Sequence, residues 1–452
     1  MSSSAHAFGP ISESHSYMTQ ELPDCLKSNN SAQAIRANNR HFQLSAASSA
    51  QQSSGGVVLF NIPPAAVAIS RGTMYLRARV SCNITNNSLG TVATNPAVYD
   101  ATHSLGFQGP GDVDATSFLP SIGNASSLIT RWTAYGTGSS VLDQINFAND
   151  VYNLFLAHKS SPLYLVYDAN IMLGCGRQWS LASTSQAYID VCIPVPLSAF
   201  NNSDIDFPLY LVRNPITLQL DLASFSRAIY STAAVGATDF TISNMYLCYE
   251  AIEVPHSLIE AERHAIQSHP FVMPLVNYLN VQTAASTLSS YTLGLNTSSL
   301  RSVVVLPLDN TAYVTTTAMS YKRNTSDNSQ NWGSGQNFQI FLDGNIKNSS
   351  INSDPVMQYT QLKQALNNNV QSNVLYPSFG TFTQYINEIF ALGVDCLSFD
   401  DAGTLMGGSS CSNLNIQWTG VANGAGNNIC TVICMYDSIL AFSGDGLMEV
   451  KR

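Results

Sequence analysis

Charged side chains are scarce in this sequence. Asp, Glu, Lys and Arg make up 11% of its 452 residues, against about a quarter in an average soluble domain. Much of the surface must then be Ser, Thr, Asn and Gln, which fits either a neutral polar surface on a free protein or large areas buried against other copies or partners. What positive charge exists is dispersed. The first fifty residues hold only Lys27, Arg36 and Arg40 against Glu13, Glu21 and Asp24, the one terminal basic pair is Lys451-Arg452, and the net charge is −10. A chain that coats nucleic acid neutralises phosphates with clustered Lys and Arg, so direct nucleic-acid binding is not expected.

Long apolar runs are missing too. No stretch of 18 or more apolar residues occurs, so no segment is expected to span a membrane by itself. The opening MSSSAHAFGPISES has neither a charged leader nor an apolar core, and no signal peptide is expected. Nine cysteines, an odd number, are scattered along the chain, with Cys430 and Cys434 as the one close pair. That is poor material for disulfides, so free and mostly buried thiols in a reducing compartment are expected. The sequons at Asn83, Asn124, Asn296 and Asn324 then read as coincidences of an Asn/Ser/Thr-rich chain.

Catalytic signatures are equally sparse. Asp400-Asp401 are adjacent, so on a strand they would point to opposite faces, and FDDAGT reads as a turn. Asp204 and Asp206 sit in the loop-like NNSDIDFP. His256, His264 and His269 cluster near one helix, but His264 and His269 are five apart and there is no HExxH. Cys430 and Cys434 fall on one face of an expected strand about 13 Å apart, as core residues do. GCG, GTG and GAG lack the helix and acidic partner of a dinucleotide site, and neither a G-x-S-x-G elbow nor a Walker sequence occurs. No catalytic, cofactor-binding or metal-ligating residue is nominated, and a non-enzymatic, structural role is expected.

What is present is β-strand pattern in an amount that calls for two domains of roughly 200 residues each. Residues 1–55, ending in SAASSAQQSSGG, read as a flexible arm. VVLFNIP and TMYLRARVSCNIT alternate apolar and polar residues as half-buried strands do. A stretch from Asn86 to Ser121 is longer than most loops and reads as a surface insertion. IDVCIPVPLSAF, FPLYLVRNPITLQLDLA and FTISNMYLCYEAIEV follow as strands. PHSLIEAERHAIQSHP, between Pro255 and Pro270, reads as a linker helix. SLRSVVVLPLD resumes the strands, and NLNIQWTG and ICTVICMYDSILAF read as a closing hairpin turned by VANGAGNN.

One local order occurs twice. In SSLITRWTAYGTGSSVLDQINFANDVYNLFLAH a strand over Leu128 to Tyr135 runs into a glycine turn and then a helix, with Ile145, Ala148, Tyr152 and Phe155 on one face. In FQIFLDGNIKN, Asp343-Gly344 marks a tight hairpin. An Asp-Pro start then opens a helix with Val356, Tyr359, Leu362 and Leu366 at helical spacing. A β-sandwich closed by Greek-key connections, with one significant helix, is the economical architecture for each half. The expected division is 1–55 arm, 56–253 first jelly roll, 254–275 linker with a short helix, and 276–452 second jelly roll.

The two helix-bearing stretches, together with IPVPLSAFNNSDIDFPLYLVRNPITLQLDL and TISNMYLCYEAIEVP, resemble the double jelly-roll major capsid proteins of icosahedral DNA viruses. That group includes adenovirus hexon and tectivirus coats, and the pattern here is nearest in size to virophage and polinton-like virus capsid proteins. The resemblance covers about a quarter of the chain and rests on hydrophobicity and punctuation. It implies a mainly β fold of two consecutive jelly rolls standing side by side, and a homotrimer forming a pseudo-hexagonal capsomer. Neighbouring capsomers, penton and minor capsid proteins would be its partners, the virion capsid its location, and an internal membrane a further possible partner. The competing reading is a two-domain β-sandwich that binds or hydrolyses carbohydrate, for which only Trp132, Trp179, Trp332 and Trp418 would be available as tryptophan platforms. A single-barrel RNA-virus coat is disfavoured by the missing basic arm.

Overall fold

The computed structural model describes residues 38–84, 92–93, 104–107, 123–136, 139–160, 164, 167–175, 177–180, 188–201, 205–231, 237–284, 290–309, 337–347, 355–366, 385, 390–397, 407–419, 428–444 and 446–451. The first half contains β1 (Asn39–Ser45), β2 (Gln51–Ser53), β3 (Val57–Ile62), β4 (Val67–Ile69), β5 (Tyr75–Ile84), β6 (Val92–Ala93) and β7 (Ser104–Phe107). It continues with β8 (Ile129–Tyr135), β9 (Val141–Asn146), helix α1 (Ala148–Lys159), β10 (Gln178–Ser180), β11 (Tyr188–Pro194), β12 (Ile216–Leu222), β13 (Ile229–Ser231) and β14 (Ala237–Glu253). Helix α2 (His256–Ser268) leads into β15 (Phe271–Ala284), β16 (Tyr291–Asp309), β17 (Asn337–Leu342) and β18 (Asn345–Ile346). Helix α3 (Pro355–Ala365) precedes β19 (Leu392–Asp395), β20 (Ser409–Thr419), β21 (Asn428–Phe442) and β22 (Met448–Lys451).

Every ladder among these strands is antiparallel. In the first half one sheet runs β1-β14-β5-β11, with β2 and β4 also on β14, and a second runs β3-β12-β8-β9. Period-two burial gives each an inner face. Leu76, Ala78, Val80 and Cys82 of β5 are buried, as are Ile216, Leu218, Leu220 and Leu222 of β12. A small sheet, β13-β7-β10-β6, joins β6 and β7 from within the expected 86–121 insertion to the later β10 and β13. The second half forms one curling sheet, β15-β21-β16-β20-β17-β18, with β19 on β16 and β22 on β21. The 19-residue β16 serves three neighbours: Tyr291–Leu300 pairs with β20, Leu300–Asp309 with β21 and Ser302–Val305 also with β19, and the ladder is irregular at Gly294, Thr297 and Leu300. Buried residues of both halves belong to one continuous hydrophobic core.

Several sequence expectations change. Residues 39–53 are not a free arm, because β1 pairs with Tyr246–Ile252 and β2 with Thr241–Ser243, closing the outer edge of β14. Polar composition hid this, since an edge strand with one solvent face can be built from NRHFQLS. FPLYL is a short 3-10 turn at Leu209–Leu211 rather than a strand. β20 and β21 are not a hairpin, because β16 lies between them in the sheet. Ile145 belongs to β9, a strand the sequence reading missed, and not to the helix. Val356, in the first turn of α3, is 61% exposed, while Leu362 and Leu366 are buried.

The duplicated order becomes clearer with β9 in place. The first copy is β8, turn, β9, α1, and the second is β17, turn, β18, then α3. Asp343 (φ 49°) and Gly344 (φ 84°) are both left-handed, as a two-residue hairpin requires. The Asp343 carboxylate accepts the backbone N–H groups of Ser412 (3.1 Å) and Asn413 (2.7 Å), tying the turn to β20.

Candidate functional site

The most elaborate polar chemistry among the described residues lies where the halves meet. β9 closes its sheet at one edge and β15 closes the other sheet, and the two strands face each other without a backbone ladder. Side chains bridge the gap. Ser198 Oγ accepts the Val276 N–H (2.8 Å), and Asn280 Nδ2 donates to the Asn146 carbonyl (2.6 Å). Register explains the rest: Gln282 pairs with Thr431 and Asn280 with Ile433, so these side chains share one sheet face. Gln282 Nε2 donates to Asp150 Oδ2 and to Thr431 Oγ1 (both 3.1 Å), and Arg227 donates to Gln282 Oε1 (3.3 Å). Buried polar groups linked in this way fix one relative placement of the halves, because sliding would strand them.

Aromatic and linker contacts hold another part of the seam. Phe442 of β21 sits edge-on to Phe207 (5.7 Å) and Phe271 (5.6 Å). The Tyr210 hydroxyl donates to Glu262 of α2, and Arg263 donates to the Tyr210 carbonyl (2.9 Å). Gly446, at φ 78°, lies so close to Arg213 that a Cβ there would stand 2.5 Å from Arg213 Cγ.

The duplicated helices meet at their last turns. Lys363 of α3 donates its ammonium to the His158 carbonyl near the end of α1, where the helix dipole favours a cation. The His158 ring packs near Tyr359 (6.4 Å) and Tyr385 (6.3 Å), and Tyr385 donates to the Ala391 carbonyl (2.9 Å). Lys159 lies over the Phe155 ring (4.9 Å), which stands edge-on to Tyr278 of β15 (6.2 Å). Burial, and then the neighbouring Lys159, lowers Lys363 to about 8; burial, and then Arg301, lowers Lys159 to about 8. In β9, burial pushes Asp143 up to about 7, while N–H groups of Ala199, Ser198 and Gln144 pull the other way.

The acidic, histidine and cysteine residues weighed as candidate sites from sequence, where described, do other work. Asp204, Asp400 and Asp401 lie outside the described residues. Asp206 accepts the Arg71 N–H (3.0 Å) as a loop clasp, and His256 faces Glu260 (3.4 Å) on the surface of α2. Cys430 and Cys434 are buried in β21, and burial pushes the Cys430 thiol up to about 12, which suits inert core thiols. Asn124 is fully buried and donates to Asn153 (2.7 Å), so it holds structure and not glycan. Asp150, Gln282 and Lys363 were missed. Lys363 had a signal: it falls four residues after Tyr359 on the apolar stripe, where a charge has no reason to sit unless a partner awaits it.

No family model matches the chain, and no curated protein matches it in sequence. Solved structures do. The PBCV-1 virus capsid chain superposes with a TM-score of 0.56 at 12% identity, over 92% of this chain and 96% of that one. The Faustovirus major capsid protein gives 0.53 at 9% identity, over 89% and 90%. The Sputnik virophage structure gives 0.51 at 11% identity, over 92% and 88%. Both halves are included at such coverage, and the chain therefore has the double jelly-roll fold of these viral capsid proteins.

Proposed function

We propose that the protein is the major capsid protein of an icosahedral virus, a structural subunit and not an enzyme, and that three copies close into a pseudo-hexagonal capsomer. The observation that carries this is the internal duplication locked by a polar seam, in a chain whose fold is shared over nearly its full length with capsid proteins. Two similar barrels held rigidly give six similar blocks when three chains close a ring, and closed symmetry leaves no unsatisfied interface within it. We assign 56–253 and 271–452 to the barrels, with residues 39–53 added to the first through β14, and 254–270 to the connection, which is shorter than the expected 254–275 because β15 already pairs with β21 from Phe271. Exposed apolar side chains support coverage by neighbours: Ile171 is 70% exposed beside Tyr167 and Met172, and Val356 adjoins exposed Met357. Neighbouring capsomers, penton and minor capsid proteins, and an internal membrane are the partners such a subunit would meet in a virion. Electron microscopy of the purified protein tests the reading. Class averages should show hexagonal outlines with threefold symmetry, and single two-lobed particles would reject it.

A further inference from the structure

We infer that the first turn of α1 encloses a hydration site, in which an ordered water joins the side chains of Asn149 and Asn153 beside Asp150, the residue that clasps the second half. Asn149 is 1% exposed and Asn153 2% exposed. Four positions apart on the helix, their Cβ atoms stand about 5–6 Å from each other, and helical side chains lean towards the N-terminus, which brings the Asn153 amide towards Asn149. Among the described residues neither the oxygen nor the nitrogen of the Asn149 amide meets a hydrogen-bond partner, and the Asn153 nitrogen meets none.

Turning the amides over does not supply the missing partners. The Ser126 backbone N–H donates to Asn124 Oδ1 (2.9 Å), and a backbone donor fixes which end of that amide faces it. Asn124 therefore presents its nitrogen to Asn153 Oδ1 (2.7 Å), and the Asn153 nitrogen is left over as a donor. The Phe147 carbonyl at the start of the helix already accepts the N–H groups of Asp150 (3.0 Å) and Val151 (3.2 Å), and Phe147 makes no side-chain cap. What the two amides need is one group that accepts from nitrogen and donates to the Asn149 oxygen. Water does both, and a buried water typically makes about three such bonds to groups that have no other partner. A cation would face two amide nitrogens. An anion would lie beside the Asp150 carboxylate, which accepts Gln282 (3.1 Å) and Thr431 (3.4 Å). The bridge thus stiffens the turn that carries Asp150 and, through it, the hold of the first half on the second.

A density map of the full-length protein at about 2 Å resolution should show a water peak about 2.7–3.2 Å from Asn153 Nδ2 and from an atom of the Asn149 amide. Two variants add a second readout. Asn149→Leu keeps the branched outline of the amide but excludes water and strands the Asn153 donor, whereas Asn149→Ala leaves room for water to take the place of the amide. The Asn149→Leu protein should therefore melt below the Asn149→Ala protein by about 2 °C or more, the reverse of the order in an apolar pocket, where the smaller side chain leaves the costlier cavity. The map decides even where a variant does not fold. A site empty of density, a direct contact between the two amides, or Asn149→Leu melting at or above Asn149→Ala would overturn the inference.

Discussion

Asp143 carries a pH dependence whose sign follows from its surroundings. Burial lifts its carboxyl from 3.8 to about 7. Between about pH 4 and 7 the folded chain keeps a proton that the unfolded chain has released, so this group's contribution to stability falls as pH rises through that window and stays lost above it. The full effect is up to about 4 kcal/mol. Asp143→Asn retains an acceptor for the Ala199 N–H without the charge. Its melting temperature relative to the parent should rise between pH 5 and pH 8, and a difference that does not change with pH would show the carboxyl ionised in the folded protein. Ser198→Ala probes the seam differently, by leaving the partly buried Val276 N–H without its partner. It should cost about 1–3 kcal/mol in denaturant unfolding. Little of this was legible in the sequence. Asn280 and Gln282 are ordinary strand residues until the second half is laid against the first, and only Lys363, a charge on an apolar stripe, announced a buried role.

Elements were more legible where local rules decide them. Asp343-Gly344 specifies its hairpin because both positions are left-handed, and Pro355 opens α3 because a first-turn residue needs no donor. Pairings between distant strands were not legible: nothing local says that β16 must enter between β20 and β21. β9 was hidden for a related reason, since six residues of VLDQIN carry too short a pattern to compete with the helix that follows. Close approach of α3 to its sheet depends on Gly393 of β19, where a Cβ would stand 2.9 Å from Leu362 Cα. Gly393→Ala should therefore lift the helix and cost about 1–3 kcal/mol, and Leu362→Ala about 2–5 kcal/mol. Unchanged melting of both would contradict the packing of α3. Edge closure makes a separate expectation: a chain starting after Ser53 should melt several degrees below one starting at Asn38, because β14 loses the partners of Thr241–Ser243 and Tyr246–Ile252.

For the whole molecule, low charge and an internally duplicated fold point the same way. Interfaces that stay closed are depleted in Lys, Glu and Asp, and a chain with 11% charged residues has little to remove. The sequence conveyed the two-barrel plan through its repeated strand-turn-helix order, while the seam that makes the barrels one block emerged only in three dimensions. The most direct measurement is the mass of the freshly purified protein by sedimentation over a wide dilution range. With a chain of 48.7 kDa, the capsomer should sediment at about 146 kDa, three chains, and hold that mass on dilution as obligate oligomers do. A stable monomer of about 49 kDa, or a pentamer, would contradict the account.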